Sequence, residues 1–172
     1  MRNGYKNLDG VLNDYGKYVI QQSKSNLTKL KKGGGDLYNS LSYEILTSDE
    51  EFSVDFLMED YGKFVDAGVK GIGGMRKYEK GVKLDSPERW KVKKVTNNKF
   101  KYRNNPPPLS AFTKYTNSKS GQFAISKSVF HTGIETTEFI SKPFEKGLQR
   151  LDKDLYSAFV TDIDESIILG KN

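Results

Sequence analysis

The stretch GGGDLYNSLSYEIL, residues 33–46, separates two kinds of pattern, and its reading decides the fold. Ahead of it, Leu8, Val11, Leu12, Tyr15, Val19, Leu27 and Leu30 recur at intervals of three and four with polar residues between them. That period predicts an amphipathic helix running to about Lys31, weakened a little by Gly16. Behind it, Tyr43 and Ile45 begin a strand, TSDEE turns the chain, and Phe52, Val54, Phe56 and Met58 alternate strictly. The pair reads as a hairpin with one apolar face turned toward the first helix. Three glycines beside lysines also raise the question of a phosphate cradle. A Walker-type loop needs a strand before the glycines and a Lys followed by Ser or Thr after them, at the mouth of a helix. Here Lys29, Lys31 and Lys32 come first and follow a helix. The glycines are therefore expected to end that helix by entering left-handed backbone, with Asp36 as N-cap of a single turn through Leu37 and Leu41.

The chain of 172 residues suits one domain, 1–172, with a core large enough to need no staples. It contains no Cys and a single His, His131. Disulfides, thiolate metal sites and cysteine nucleophiles are excluded, and a histidine triad or a zinc site would have to be built on His131. No apolar stretch reaches the roughly 20 residues of a membrane span, and MRNGYKNLDG lacks a signal-peptide apolar region. A protein made and used inside a cell, or assembled there, is expected.

The net charge of +6 is concentrated. Residues 76–103 carry eleven basic side chains (Arg76, Lys77, Lys80, Lys83, Arg89, Lys91, Lys93, Lys94, Lys99, Lys101, Arg103) against Glu79, Asp85 and Glu88. A local excess of +8 in a chain of +6 leaves about −2 for the remainder. Such a field suits nucleic acid or an acidic protein partner, and equally a hairpin kept soluble by lysines.

EDYGKFVDAG reads as a brief helical turn closed by Gly68, and residues 69–89 as a long mobile loop. WKVKKV and KFKYR flank TNN and predict a second hairpin, with Trp90, Val92, Phe100 and Tyr102 on one face and lysines on the other. The whole of 69–105 is thus a basic loop and hairpin excursion within the domain. The three prolines of NNPPPLSAF fix an extended path before a helical turn. GQFAISKSVFHTGI predicts a short buried helix with Phe123, Ala124, Ile125, Val129 and Phe130 on one side and Gly133 as its C-terminal cap. From Ser141 as N-cap, Pro143 starts a long final helix with the stripe Phe144, Leu148, Leu151, Leu155, Phe159, Ile163 and Ile167. Its outer face carries Asp152, Asp154, Asp162, Asp164 and Glu165. No internal repeat is present. The fold class is α+β: an antiparallel sheet of two hairpins packed by a long N-terminal and a long C-terminal helix.

The order of these pieces resembles the head-to-tail joining proteins of tailed bacteriophages, the neck, tail-completion or head-tail connector family. A leading helix, Gly35-Asp36-Leu37 with Ser40-Leu41, a hairpin, and then Tyr61, Phe64, Val65 and Gly68 match the first half of that pattern. PPPLSAF and FAISKSVFHTGIETTEFISKPFEKGL match its Pro-rich turn, short helix and Phe-Ile-X-Lys-Pro-Phe entry into the last helix. Together they span about two thirds of the chain. The sequence departs from the pattern at Gly34, where the family prefers Thr, and in the length of the 69–105 excursion.

The resemblance implies a virion structural protein: one subunit of a ring of six or twelve copies between the portal complex and the tail, around the DNA channel. The ring would sit in the virion neck after assembly in the host cytoplasm, with portal or adjacent neck and tail rings as partners. No cofactor, metal or membrane contact is implied, and no catalysis. Tyr61, Phe64, Trp90 and Tyr102 are candidate anchors for ring contacts, with core packing the plainer role for Phe64 and Phe56. Asp152, Asp154 and Asp162 form a candidate inter-subunit acidic face. An enzyme is disfavoured because Asp49, Glu50 and Glu51 lie in a turn and the helix carboxylates face solvent. The alternative function is sequence-nonspecific nucleic-acid binding by the basic hairpin 90–103, tracking phosphates and stacking bases. Lys91, Lys93, Lys94, Lys99, Lys101 and Arg103, with Trp90 and Tyr102, face either DNA or a protein neighbour. The apolar face of Trp90, Val92, Phe100 and Tyr102 points to the protein.

Overall fold

The computed structural model describes residues 5–47, 52–73, 92–96 and 99–169. The fold is α+β, and the chain divides into two compact units: residues 1–62 with 139–172, and residues 63–138.

In the first unit, α1 (Lys6–Lys29) buries Leu8, Leu12, Tyr15, Val19 and Leu27 of the expected stripe and Ile20 besides, while Val11 is half-buried and Leu30, at its end, is exposed. It stops through a Schellman arrangement. The amide of Lys32 bonds the Leu27 carbonyl at 2.8 Å and that of Lys31 bonds Thr28 at 2.9 Å. The left-handed residue that makes this possible is Lys31, at φ 58°, so the helix is ended one turn before the glycines expected to end it. Gly34, at φ 76°, serves the turn that follows. The next helix, α2 (Asp36–Ser40), has Gly35 as its N-cap, and Asp36 lies inside its first turn and not at the cap.

Strands β1 (Ser42–Thr47) and β2 (Phe52–Leu57) form the first antiparallel hairpin. Tyr43 faces Phe56 and Ile45 faces Val54 across the ladder, which is the register that strict alternation dictates. This face packs on α1 and on α5 (Ser141–Leu169). Tyr15 of α1, Phe56 of β2 and Phe144 of α5 meet edge to face, with centroids 5.9 to 6.1 Å apart. Tyr5, Phe52 and Phe159 form a second aromatic group. Each such ring pair contributes on the order of 1 kcal/mol beyond its area.

The sequence places α5 correctly but assigns it the wrong buried face. Its buried positions are Pro143, Gly147, Ala158 and Asp162, while Phe144, Leu148, Phe159, Ile163 and Ile167 remain 39 to 53% exposed. The cause is the closeness of α1: a side chain at Gly147 would run into the rings of Tyr15 and Tyr18. Small residues face the neighbouring helix and the large ones are displaced to its flank. Ser141 is the first helical residue and not the N-cap. Phe139, just before α5, is the largest fully buried side chain among the described residues, and its carbonyl accepts from Asn26 Nδ2 at 3.2 Å.

The second unit begins within α3 (Gly62–Ala67) and holds β3 (Val69–Lys70), a 3-10 turn at Leu109–Phe112, α4 (Lys119–Thr132) and β4 (Gly133–Ile134). Its antiparallel pair is β3 with β4, Val69 facing Ile134 and Lys70 facing Gly133. The hairpin expected from WKVKKV and KFKYR is not formed among the described residues. Its arms bond to different strands: Phe100 and Tyr102 to Lys70 of β3, and Lys93 and Lys94 to Thr132 and Thr136 beside β4. The two arms thus flank the β3–β4 pair instead of each other. Residues 74–91, where most of the expected loop falls, and the turn at 48–51 lie outside the described residues.

Helix α4 ends at Gly133, φ 82°, as its sequence predicts. Its buried residues, however, are Gln122 and Ser126; Phe123 is 57% exposed. Both polar groups are satisfied there: Gln122 Nε2 donates to the Thr116 carbonyl at 2.9 Å and Ser126 Oγ to that of Pro107 at 2.6 Å. The chain leading into α4 supplies both acceptors, so the polar face turns inward.

Candidate interaction surfaces

Two surfaces collect the residues with functional potential, one on each unit. On the second unit the backbone is extended around Lys101, held in a parallel bridge to Lys70 by Lys70 N to Phe100 O and Tyr102 N to Lys70 O, both 3.0 Å. Exposure alternates along it. Lys99, Lys101 and Arg103 are exposed, while Phe100 and Tyr102 are half-buried. The Phe100 ring lies edge-on to Phe64 at 4.7 Å and the Tyr102 ring on Phe130 at 5.8 Å. Burial raises the pKa of the Tyr102 phenol. The apolar face expected to grip a neighbouring protein is therefore turned inward at these two positions. Val92 stays exposed, and Trp90 and Lys91 lie outside the described residues.

Lys70, Lys93 and Lys94 are exposed as well, on and beside the β3–β4 pair. By sequence, residues 63–138 hold sixteen basic and six acidic side chains, net +10, and the other unit twelve and sixteen, net −4. The division into units is also a division of charge.

Thr136 and Thr137 tie this unit together. Thr136 Oγ1 donates to Ala67 O at 2.8 Å and accepts from Thr96 N at 3.0 Å, and Thr137 Oγ1 donates to Val65 O at 2.8 Å. Nothing in the sequence marks them, since hydroxyl partners so far away in the chain leave no local pattern. His131 has its ring against Phe130 and its Nδ1 3.4 Å from the Gly73 carbonyl. Among the described residues, no three His, Cys, Asp or Glu are grouped to hold a metal ion, and no helix is long and apolar enough to cross a membrane.

On the first unit, α5 presents a ridge of exposed apolar side chains, among them Tyr156 (73% exposed), Phe159, Val160, Ile163, Ile167 and Ile168. Asp152, Asp154, Asp164 and Glu165 are exposed on the same helix. Asp154 also lines an open groove of about 550 Å³ between α1 and α5, with Asp14, Tyr18 and Arg150. Asp162 does not belong to the acidic face. It is 2% exposed, and its carboxylate accepts hydrogen bonds from Asn7 and Leu8 at the start of α1. Tyr61 is exposed, and its hydroxyl accepts from Leu37 N at 3.0 Å. No protein-family model, no curated protein and no solved structure matches the chain.

Proposed function

We propose that the chain is a structural subunit of a multi-copy ring, of the kind that joins the portal of a tailed bacteriophage to its tail around the DNA channel. The resemblance in the order of sequence motifs gives the class. The observation that carries the reading is the exposed ridge of α5. Six large apolar side chains on one helix, among exposed carboxylates, are more than a solitary soluble subunit has use for, and they suit a contact surface. The occupant is a second copy of the chain. Unit charges of −4 and +10 give each copy unlike surfaces, and unlike surfaces associate head to tail, which closes into rings. The role is scaffolding and not catalysis.

Native mass measurement of the purified protein, together with immunogold location in purified phage particles, tests this. A multi-subunit mass and label at the neck are expected. A monomer absent from particles would reject the reading.

A further inference from the structure

We infer that the segment from Lys99 to Arg103 is a sequence-independent binding surface for the phosphate backbone of duplex nucleic acid. Its alternation is the first reason. In an extended chain, alternate residues project to one side about 6.6 Å apart. That places Lys101 and Arg103, both exposed, at a spacing comparable to successive phosphates along one strand, with Lys99, also exposed and its Nζ 5.7 Å from the Phe100 ring centroid, at the bend before them. The two backbone bonds to Lys70 hold the register, so little ordering is required on binding.

The second reason is what surrounds them. Lys70 on β3 and Lys93 and Lys94 beside β4 are exposed, within a unit of net charge +10. Phosphate neutralisation by such groups releases counterions and supplies most of nonspecific affinity.

The third reason separates duplex from single strand, and nucleic acid from protein. Stacking on unpaired bases needs exposed rings, but Phe100 and Tyr102 are packed on Phe64 and Phe130. The same inward packing takes Phe100 and Tyr102 from the aromatic anchors on which a protein contact at this segment would centre. What the segment offers outward is charge. This inference stands apart from ring formation, since it concerns one copy.

Fluorescence anisotropy of the full chain with two duplexes of unrelated sequence, and with one strand alone, tests it between about 50 and 200 mM salt. Equal affinity for both duplexes is expected, with the single strand no tighter. The combined change Lys99→Gln, Lys101→Gln and Arg103→Gln should flatten the slope of log K against log salt by about 2.7, three contacts at about 0.9 each. Lys93→Gln with Lys94→Gln, on the other arm, should flatten it further. Lys146→Gln, Arg150→Gln and Lys153→Gln on α5 should leave it unchanged, and circular dichroism checks that each variant folds. An unaltered slope in the first variant, a marked preference for one sequence, or no duplex binding at the lowest salt would overturn the inference. Binding of polyglutamate in place of duplex would assign the surface to an acidic protein. Loss of the ring reading, by mass and particle location, leaves these outcomes unaffected.

Discussion

The carboxylate of Asp162 caps Asn7. Its Oδ1 accepts from the Asn7 backbone amide at 3.0 Å and from Asn7 Nδ2 at 2.8 Å, while Oδ2 accepts from Leu8 N at 3.0 Å. Asn7 and Leu8 are the second and third residues of α1, whose own N-cap, Tyr5, provides no side-chain acceptor. A residue 155 positions away thus does the work of a local cap, and its charge lies at the favourable end of the helix dipole. Asp162→Ala should lower stability by about 1 to 3 kcal/mol in urea unfolding, because it leaves buried amides without partners. Asp162→Asn keeps one acceptor and should lose less. Asp152→Ala, on the exposed face, should stay within about 0.5 kcal/mol. Equal midpoints for Asp162→Ala and Asp152→Ala would remove the cap from the account.

Two glycines of α1 should respond in opposite directions to the same change. A Cβ at Gly10 meets nothing within 4 Å, so Gly10→Ala should gain up to about 1 kcal/mol of helix propensity. A Cβ at Gly16 would overlap the Tyr43 ring, whose hydroxyl is tied to Asn13 Oδ1 at 2.5 Å and whose strand is fixed by β2. Overpacking costs about 1 to 3 kcal/mol, which outweighs the propensity gain. Gly16→Ala should therefore melt lower than wild type and Gly10→Ala higher. A stabilised Gly16→Ala would mean that the hairpin does not press on α1 at this point.

Lys31 occupies the left-handed position of the Schellman cap, where a side chain costs about 1 to 2 kcal/mol relative to glycine. Part of the gain from glycine is lost to the greater freedom of the unfolded chain. Lys31→Gly should raise stability by about 0.5 to 1 kcal/mol, measured by thermal unfolding, and Gly34→Ala, at φ 76°, should lower it.

These cases mark where the sequence is legible. The α1 stripe and the β1–β2 register follow from one-sided burial, which writes itself as period 3.6 and period 2. On α5 the same logic picks the large residues from Phe144 to Ile167 and misses the buried face, because a close helix pair selects Gly147 and Ala158 for smallness. Alternation around TNN puts Phe100 and Tyr102 on one face and the lysines on the other, but it shows neither that the ring face turns inward nor which strand it pairs with, and β3 takes the place of the other arm. The cap by Asp162 and the inward Gln122 and Ser126 are polar contacts to distant carbonyls and amides, which leave no hydrophobic period. The alternation of cations with rings was legible. The packing of the rings on Phe64 and Phe130, distant in the chain, was not.

Alkaline pH should loosen both units. Burial raises the phenol pKa of Tyr15 and of Tyr102 above the usual value of about 10. A group with a raised folded pKa contributes stability that is fully present below its unfolded pKa and is lost as pH rises through the folded one. Stability should thus hold to about pH 10 and fall above it. In an ultraviolet titration these two phenols should ionise above the usual value. Tyr102→Phe should delete one late-titrating group and lessen the alkaline loss. A Tyr102→Phe titration that loses its absorbance change at the usual value, and not above it, would contradict the burial.

The proposed subunit contact rests on the α5 ridge, and the ridge can be changed without touching the core. Tyr156 and Ile167 are 73% and 53% exposed, so Tyr156→Glu with Ile167→Glu should leave the unfolding midpoint close to wild type. At an interface the same two carboxylates would be desolvated beside Asp152, Asp164 and Glu165, and like charges without partners oppose association. Native mass measurement should then give smaller species for this variant than for wild type. Salt separates the ridge from the basic strip. An apolar contact should persist as salt rises, whereas duplex binding through Lys99, Lys101 and Arg103 should fall steeply. Assemblies that dissolve in salt in step with loss of duplex binding, and that form normally in the glutamate variant, would move the subunit contact from α5 to the charged surfaces.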